Sequence, residues 1–253
     1  MTRTVAKYTR VYVDGYDLSG YTRSVGPLEL SYDEADLTTL TDTVKGYLRN
    51  HAQANVGTLN AVLDDTATTG SHAVMSVAGQ KRTVLVTIGM NAAPAAGDPA
   101  FAGQFLQKDY TAADEGGAVI VSIPFSGWAS DAASLLHGMP WGVLVSPATA
   151  RTGANSGTGI DNPSAGATVK GGYMVYQVIA GNGTATVSID DSANNSAFSA
   201  LSGATTGSIN CAVVRHGVIA LSTSATVRRY LRWQVALGTA TTVTFALAFS
   251  RNY

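Results

Sequence analysis

The chain has 253 residues, and Ala, Thr and Gly together fill 94 of them. Charged residues make up 13 %, about half the share of a typical soluble domain, and the net charge is −1. The 45 % of hydrophobic residues excludes wholesale disorder, and the single cysteine excludes a disulfide framework. The near-zero net charge argues against a protein whose main task is to bind nucleic acid through its phosphates. No apolar run approaches the roughly 18 residues of a membrane-spanning helix, so we expect no membrane contact.

Most of the chain shows the period-two alternation that is typical of half-buried strands in antiparallel sheets. The clearest segments are 84–88, 119–125, 184–189, 231–237 and 243–249. Their outer faces carry mainly Thr, Ser and Ala, which suit a strand without adding charge. The sequence therefore predicts a mainly β fold.

One helix is predicted between Asp64 and Gly79. Asp64 and Asp65 suit the N-terminal cap and the first turn, and Gly79 suits the C-terminal end. Gly70 inside this segment disfavours the helix by about 1 kcal/mol relative to Ala. The Thr- and Asp-rich segment 36–48 fits either a helix or a structured loop.

The charge distribution divides the chain near its middle. Residues 1–150 hold 14 acidic and 9 basic residues, a balance of −5, whereas residues 151–253 hold 3 acidic and 7 basic residues, a balance of +4. Between these halves, residues 149–166 are rich in Gly, Ser, Thr and Asn and lack apolar periodicity, which is typical of a linker or a long loop. We therefore predict a β domain over 1–148 with an N-terminal arm, and a second all-β domain over 167–253.

No motif in the sequence requires catalysis. The chain lacks a Gly-x-Ser-x-Gly elbow, a phosphate-binding Gly-x4-Gly-Lys loop and histidines at metal-ligand spacing. The carboxylate clusters are interpreted as turn and cap residues instead of acid–base pairs, because adjacent strand residues point to opposite faces. These clusters are Asp33-Glu34-Ala35-Asp36, Asp64-Asp65, Asp114-Glu115 and Asp190-Asp191. We expect no enzyme, no metal site and no cofactor, and we interpret Cys211 as a small core residue.

Two features leave alternatives open. Arg228, Arg229 and Arg232 form the densest basic spot, which fits a nucleic-acid or sugar platform and, with more weight, the outer face of a strand at a subunit contact. The tryptophans Trp128, Trp141 and Trp233 fit glycan binding and, with more weight, core packing.

Four stretches, taken in order, resemble the major tail (tail tube) proteins of long-tailed, non-contractile bacteriophages. The first is 11–20, and the second is 28–32 with the loop 36–48. The third joins Leu63-Asp64-Asp65 to the strand 83–88 and the turn Gly97-Asp98-Pro99-Ala100. The fourth, 172–177 with 186–192, 228–232 and 244–251, is similar to the β-sandwich extension of many tail proteins.

The resemblance implies a tail-tube-type antiparallel β-sandwich with one flanking helix and a C-terminal all-β sandwich domain. It also implies that six copies form a ring and that stacked rings form a tube through which DNA passes without specific binding. The protein would be made in the host cytoplasm and reside in the virion, in contact with the tape measure, tail terminator and distal tail proteins. The acidic first half suits a channel wall that repels phosphates.

Within this resemblance we expect subunit contacts at the Thr/Asp-rich loop and at the N-terminal arm, residues 1–26. The loop residues concerned are Asp36, Leu37, Thr38, Thr39, Leu40, Thr41, Asp42 and Tyr47. Two alternatives remain: a capsid decoration or other virion surface protein, including one that binds host glycans, and a glycan-cleaving protein. The sandwich-like residues 166–253 motivate the first, and the tryptophans and carboxylate pairs motivate the second.

Overall fold

The computed structural model describes residues 4–41, 43–130, 132–136, 138–162 and 166–252. The fold is mainly β, with one short helix, α1 (Ser71–Met75), as predicted for the fold class. The strands before the middle of the chain are β1 (Thr9–Val13), β2 (Tyr16–Asp17), β3 (Thr22–Gly26), β4 (Glu29–Asp36), β5 (Tyr47–Asn55), β6 (Thr58–Val62), β7 (Lys81–Ile88), β8 (Pro99–Gln107), β9 (Thr111–Glu115) and β10 (Ala118–Trp128). The later strands are β11 (Trp141–Arg151), β12 (Asn155–Ser156), β13 (Ile160–Asp161), β14 (Gly172–Gly181), β15 (Thr184–Ser192), β16 (Ser199–Thr205), β17 (Ile209–Asn210), β18 (Arg215–Ala220), β19 (Tyr230–Leu237) and β20 (Val243–Arg251).

The described strands form three sheets, in which each described pair is antiparallel. The largest has twelve strands and follows the path β18-β14-β20-β11-β8-β10-β6-β3, with β7, β1, β2 and β9 attached to it. The second has six strands along β12-β19-β15-β16, with β13 and β17 attached. The third is the two-stranded hairpin β4-β5.

The core is stacked in three apolar layers, because the large sheet folds over and the six-stranded sheet packs on it. One layer holds Phe101, Phe105 and Ile123 with the valines of β1 and β7. The opposite layer lies between β14, β20 and the six-stranded sheet, and it holds Phe245, Phe249 and Trp233. The middle layer is rich in alanine, which lets its strands approach closely.

Strand β20 is buried on both faces, whereas the sequence predicted a half-buried strand. Phe245, Leu247 and Phe249 face the six-stranded sheet as predicted, but Ala246 and Ala248 on the other face are also fully buried. They pack in the middle layer with Leu85 and Tyr173 of β7 and β14, and β7 is buried on both faces in the same way. The second face of β20 therefore packs inside this chain, where the alternation predicted an outer face.

The helix is shorter than predicted: α1 begins after Gly70, and the aspartates lie outside it. The Asp64 side chain accepts a hydrogen bond from the Thr66 N–H at 2.9 Å, which forms a turn in place of a helix start. The Ser71 hydroxyl donates to the Val62 carbonyl at 2.6 Å and accepts from the Asp64 N–H at 3.0 Å. A Cβ at position 70 would lie 2.4 Å from the Asp64 carbonyl oxygen, so this close turn requires glycine.

One sheet crosses the predicted domain boundary. β11 pairs with β20 and β8, and the middle layer combines Tyr12 and Leu85 with Tyr173 and Ala246. The segment 149–166, predicted as a linker, contains the end of β11 and the short strands β12 and β13, both paired with β19. The division into domains 1–148 and 167–253 stays a prediction about folding units.

A polar network also joins the two halves beneath the turn between β1 and β2. The buried Asp14 carboxylate accepts from the Arg82 guanidinium at 2.9 Å and from the Thr83 N–H at 2.8 Å. The Gln177 amide donates to the Thr83 carbonyl at 2.9 Å. The His216 Nδ1 lies 3.0 Å from the Thr83 hydroxyl and 3.5 Å from Asp14. Burial and the nearby arginines lower the pKa of His216, against the opposing effect of Asp14.

Candidate assembly surface

The β4–β5 hairpin forms an arm, residues 29–55, that shares no described backbone hydrogen-bond ladder with either larger sheet. Its register pairs Leu30 with Ala54 near the base and Asp36 with Tyr47 near the tip, with an irregularity between Tyr32 and Glu34. Eight strand residues at about 3.4 Å each give the arm a length of roughly 27 Å.

The base of the arm is anchored in the core, whereas the tip is exposed. Ala54 and the following Val56 are fully buried, and Leu30 packs against the same apolar cluster. Toward the tip the apolar side chains are all more than half exposed; they are Leu37, Leu40, Val44, Tyr47 and Leu48. Exposed apolar groups of this kind, concentrated on one projecting element, are typical of a protein contact surface.

Hydrogen bonds within the tip give it a defined shape. The Asp36 carboxylate accepts from the Thr38 N–H at 2.9 Å and from the Thr38 hydroxyl at 2.5 Å. The Thr38 hydroxyl accepts from the Gly46 N–H at 3.1 Å, and the Leu37 N–H donates to the Gly46 carbonyl at 2.8 Å. The bonds from Thr38 lower the pKa of Asp36 below its ordinary value.

The structure brings most of the predicted contact residues together at this tip. Asp36 and Tyr47 face each other at the ends of the two strands, and 37–41 form the connecting loop. Asp42 lies outside the described residues. The prediction of contact residues omitted Val44 and Leu48, which are exposed beside them.

The N-terminal segment is integral to the core instead of forming an arm. β1 pairs with β7, β3 pairs with β6, and Val11, Val13 and Leu18 are fully buried. Asp17, Arg23 and Ser24 remain exposed between these buried positions, and the expected role of residues 1–26 in subunit contacts stays a prediction.

The basic spot at the start of β19 forms ion pairs within the chain, an arrangement that neither sequence alternative included. Arg232 lies 2.8 Å from the buried Asp190 and Arg229 lies 2.7 Å from Asp161. Arg228 lies 3.6 Å from the buried Asp191. The interpretation of Asp190 and Asp191 as turn residues is therefore wrong: they are strand residues of β15 that pair with arginines of the neighbouring segment.

The other residues considered for chemistry are engaged in packing. Trp128 stacks on Phe105 at a centroid distance of 5.0 Å, and Trp141 meets Phe101 edge-on at 5.0 Å. Cys211 is buried as predicted, and burial raises the pKa of its thiol, which disfavours the reactive thiolate.

The described part of the chain shows neither a metal-binding cluster nor a membrane-spanning helix. No group of three or more His, Cys, Asp or Glu side chains there could hold a metal ion. None of the helices in those residues has the length and hydropathy of a membrane-spanning segment.

No protein-family model matches the chain, and neither does any curated protein. Among solved structures, the chain is similar to the Dit protein of phage SPP1, described as a paradigm of the hub adsorption apparatus in phages that infect Gram-positive bacteria. The match covers 96 % of this chain and 98 % of that chain, with 12 % identity and a TM-score of 0.33. This identity is too low to place the two proteins in one family, and this TM-score is too low to count them as one fold.

Proposed function

We propose that this chain is a structural subunit of the tail of a long-tailed, non-contractile bacteriophage. Six copies form a ring, and stacked rings form a tube that conducts DNA. The single observation that carries the assembly role is the arm, a hairpin with a buried base and an exposed apolar tip.

The physical case begins with the stability of the arm. A two-stranded hairpin is marginally stable in water by itself, and this one also exposes five large apolar side chains. Burying them against another copy would release free energy of about 25 cal/mol per Å² of apolar surface. The same contact would cover the free edges of β4 and β5, which otherwise invite uncontrolled pairing.

The phage-tail assignment comes from the ordered sequence resemblance, and two properties of the chain agree with it. The first half carries an acidic balance of −5, which suits a channel wall along which DNA slides. In the second half, Arg228, Arg229 and Arg232 each form an ion pair within the chain, which weakens the attraction of that basic spot for phosphates.

Electron microscopy of the purified protein and of virions tests the proposal. We expect hollow rings in the purified protein that stack into tubes at high concentration, and antibody labelling along the tail. A persistent monomer absent from tails would contradict the proposal. Single rings labelled at one end of the tail would contradict the tube, and labelling on the head would favour the decoration alternative.

A further inference from the structure

The end of β11 carries an arginine that no carboxylate of the described residues neutralises. Arg151 forms no ion pair with them, and its guanidinium lies 4.1 Å from the centre of the Trp233 ring. One of its terminal nitrogens donates to the buried Ser146 hydroxyl at 3.2 Å. Its Nε is buried and finds no acceptor. The buried Nε is closed to an outside group, so an acceptor from another molecule would meet the terminal nitrogens of the guanidinium.

Arg151 lines an open groove of about 420 Å³ beside the six-stranded sheet. Its other walls include Pro94, Pro147, Asn155 and Gly157. A planar guanidinium in a partly apolar groove matches a carboxylate, because it can donate two parallel hydrogen bonds to the two oxygens. Sugar stacking is disfavoured because Trp233 is only 5 % exposed and Arg151 covers its ring.

The complementary charge lies on the arm. Glu29, Asp33, Glu34 and Asp36 are exposed, and none of them forms an ion pair with a described residue. The arm tip adds apolar side chains that suit the proline- and alanine-lined part of the groove. An unpaired cation in the basic half and unpaired carboxylates on a projecting element of the acidic half favour contact between two copies.

We propose that Arg151 receives a carboxylate from the arm of a second copy of this chain, so that the groove is the docking site of the arm tip. This inference rests on the proposed assembly role and names the surface that the arm contacts. It assigns Arg151 a part in subunit recognition, with Ser146 and Trp233 holding its guanidinium in place.

A double-mutant cycle on self-association, measured by sedimentation velocity, tests the inference. The first variant is Arg151→Met, which keeps an apolar contact with Trp233 and removes the charge. The second combines Asp33→Asn, Glu34→Gln and Asp36→Asn, which keep the hydrogen-bond acceptors of the arm. We expect each variant to weaken association about tenfold or more, and the combination to be no weaker than either alone within about threefold. Arg215→Met, at an exposed arginine of β18, is the matched control and keeps wild-type association.

Unchanged association of Arg151→Met, with an unchanged melting temperature, would overturn the inference while the proposed function stands. Additive losses in the combined variant would also overturn it, because the arm and Arg151 would then contact different groups. Binding of N-acetylneuraminic acid at Arg151 without any effect of the substitution on association would assign the groove to an acidic sugar instead. Wild-type protein that never associates would contradict the proposed function itself.

Discussion

The middle layer of the core and the arm are both built from antiparallel strands, yet they bury their side chains to opposite extents. In β20 nearly every residue from Val243 to Arg251 is buried, with large side chains on one face and alanines on the other. In the arm, β5 exposes its first five residues and buries only Ala54. The middle layer is thus stabilised by the chain itself, whereas the exposed tip of the arm could gain further packing only from another molecule. Stability and assembly are therefore expected to depend on different residues.

The largest expected effect on stability comes from the core. Phe245→Ala removes a fully buried ring that contacts Trp233 edge-on at 5.9 Å, and it should lower the free energy of unfolding by about 3–5 kcal/mol. Tyr47→Ala, the matched aromatic truncation on the arm, should change it by less than about 0.5 kcal/mol. Urea unfolding of dilute protein measures both values. Equal losses would show that the arm is part of the same cooperative core.

A second contrast separates a buried ion pair from an exposed one on the same sheet. Asp190 is 6 % exposed and Arg232 28 % exposed at the level of their side chains. Arg232→Met leaves the nearly buried Asp190 carboxylate with the Gln234 amide but without its cation, and it should cost about 2–3 kcal/mol. Arg229→Met breaks the exposed pair with Asp161 and should leave stability almost unchanged. The same denaturant measurement checks both variants, and a larger loss for Arg229→Met would reverse the assignment.

These contrasts also show what the sequence could predict. The alternation in β19 placed Leu231, Trp233 and Val235 inside and Arg232 outside, and the structure confirms it. From the sequence, segment 36–48 stays open between a helix and a loop, and the structure has a connection between β4 and β5 whose turn chemistry is local: Asp36 and Thr38 hydrogen-bond within three residues. Features that depend on residues close in sequence, such as strand alternation and turn hydrogen bonds, could therefore be predicted.

Features that depend on residues far apart in sequence could not be predicted. An alanine such as Ala246 or Ala248 fits a surface or a core equally well. These two are buried because Tyr173 and Leu85 of other strands pack against them. The pairing of Asp190 with Arg232 joins residues 42 positions apart, which no spacing rule connects. Strands β12 and β13 have two residues each, too few to show any periodicity. They form because their backbones pair with β19.

The polar network around the partly exposed His216 predicts a pH dependence of stability. Because the folded state lowers the pKa of His216, the unfolded chain takes up its proton first as the pH falls. This contribution to stability is complete above the ordinary pKa of about 6.5 and is lost as the pH falls below it. The groups facing the ring are Asp14, Arg82 and Arg215, and the two arginines oppose its protonation.

The variant His216→Gln keeps a hydrogen-bonding group near the Thr83 hydroxyl and removes the titration. We expect it to flatten the fall in unfolding free energy just below pH 6.5, relative to wild type, in denaturant titrations at a series of pH values. The exposed His51→Gln on the arm serves as the control for a histidine-to-glutamine change outside the network. An identical slope in the wild type and in His216→Gln would contradict the role given to the network.

The smallest expected effect on stability is coupled to a large effect on assembly. Val44→Ser at the arm tip and Val169→Ser elsewhere remove the same side chain from exposed positions, 78 % and 65 % exposed. Neither should change the free energy of unfolding by more than about 0.5 kcal/mol, because an exposed valine loses few contacts within its own chain. If the arm is the contact surface, Val44→Ser alone should weaken self-association in sedimentation velocity and shorten the tubes seen by electron microscopy. Equal association of the two variants would mean that the exposed tip is not the contact surface, since the two substitutions differ only in where they lie.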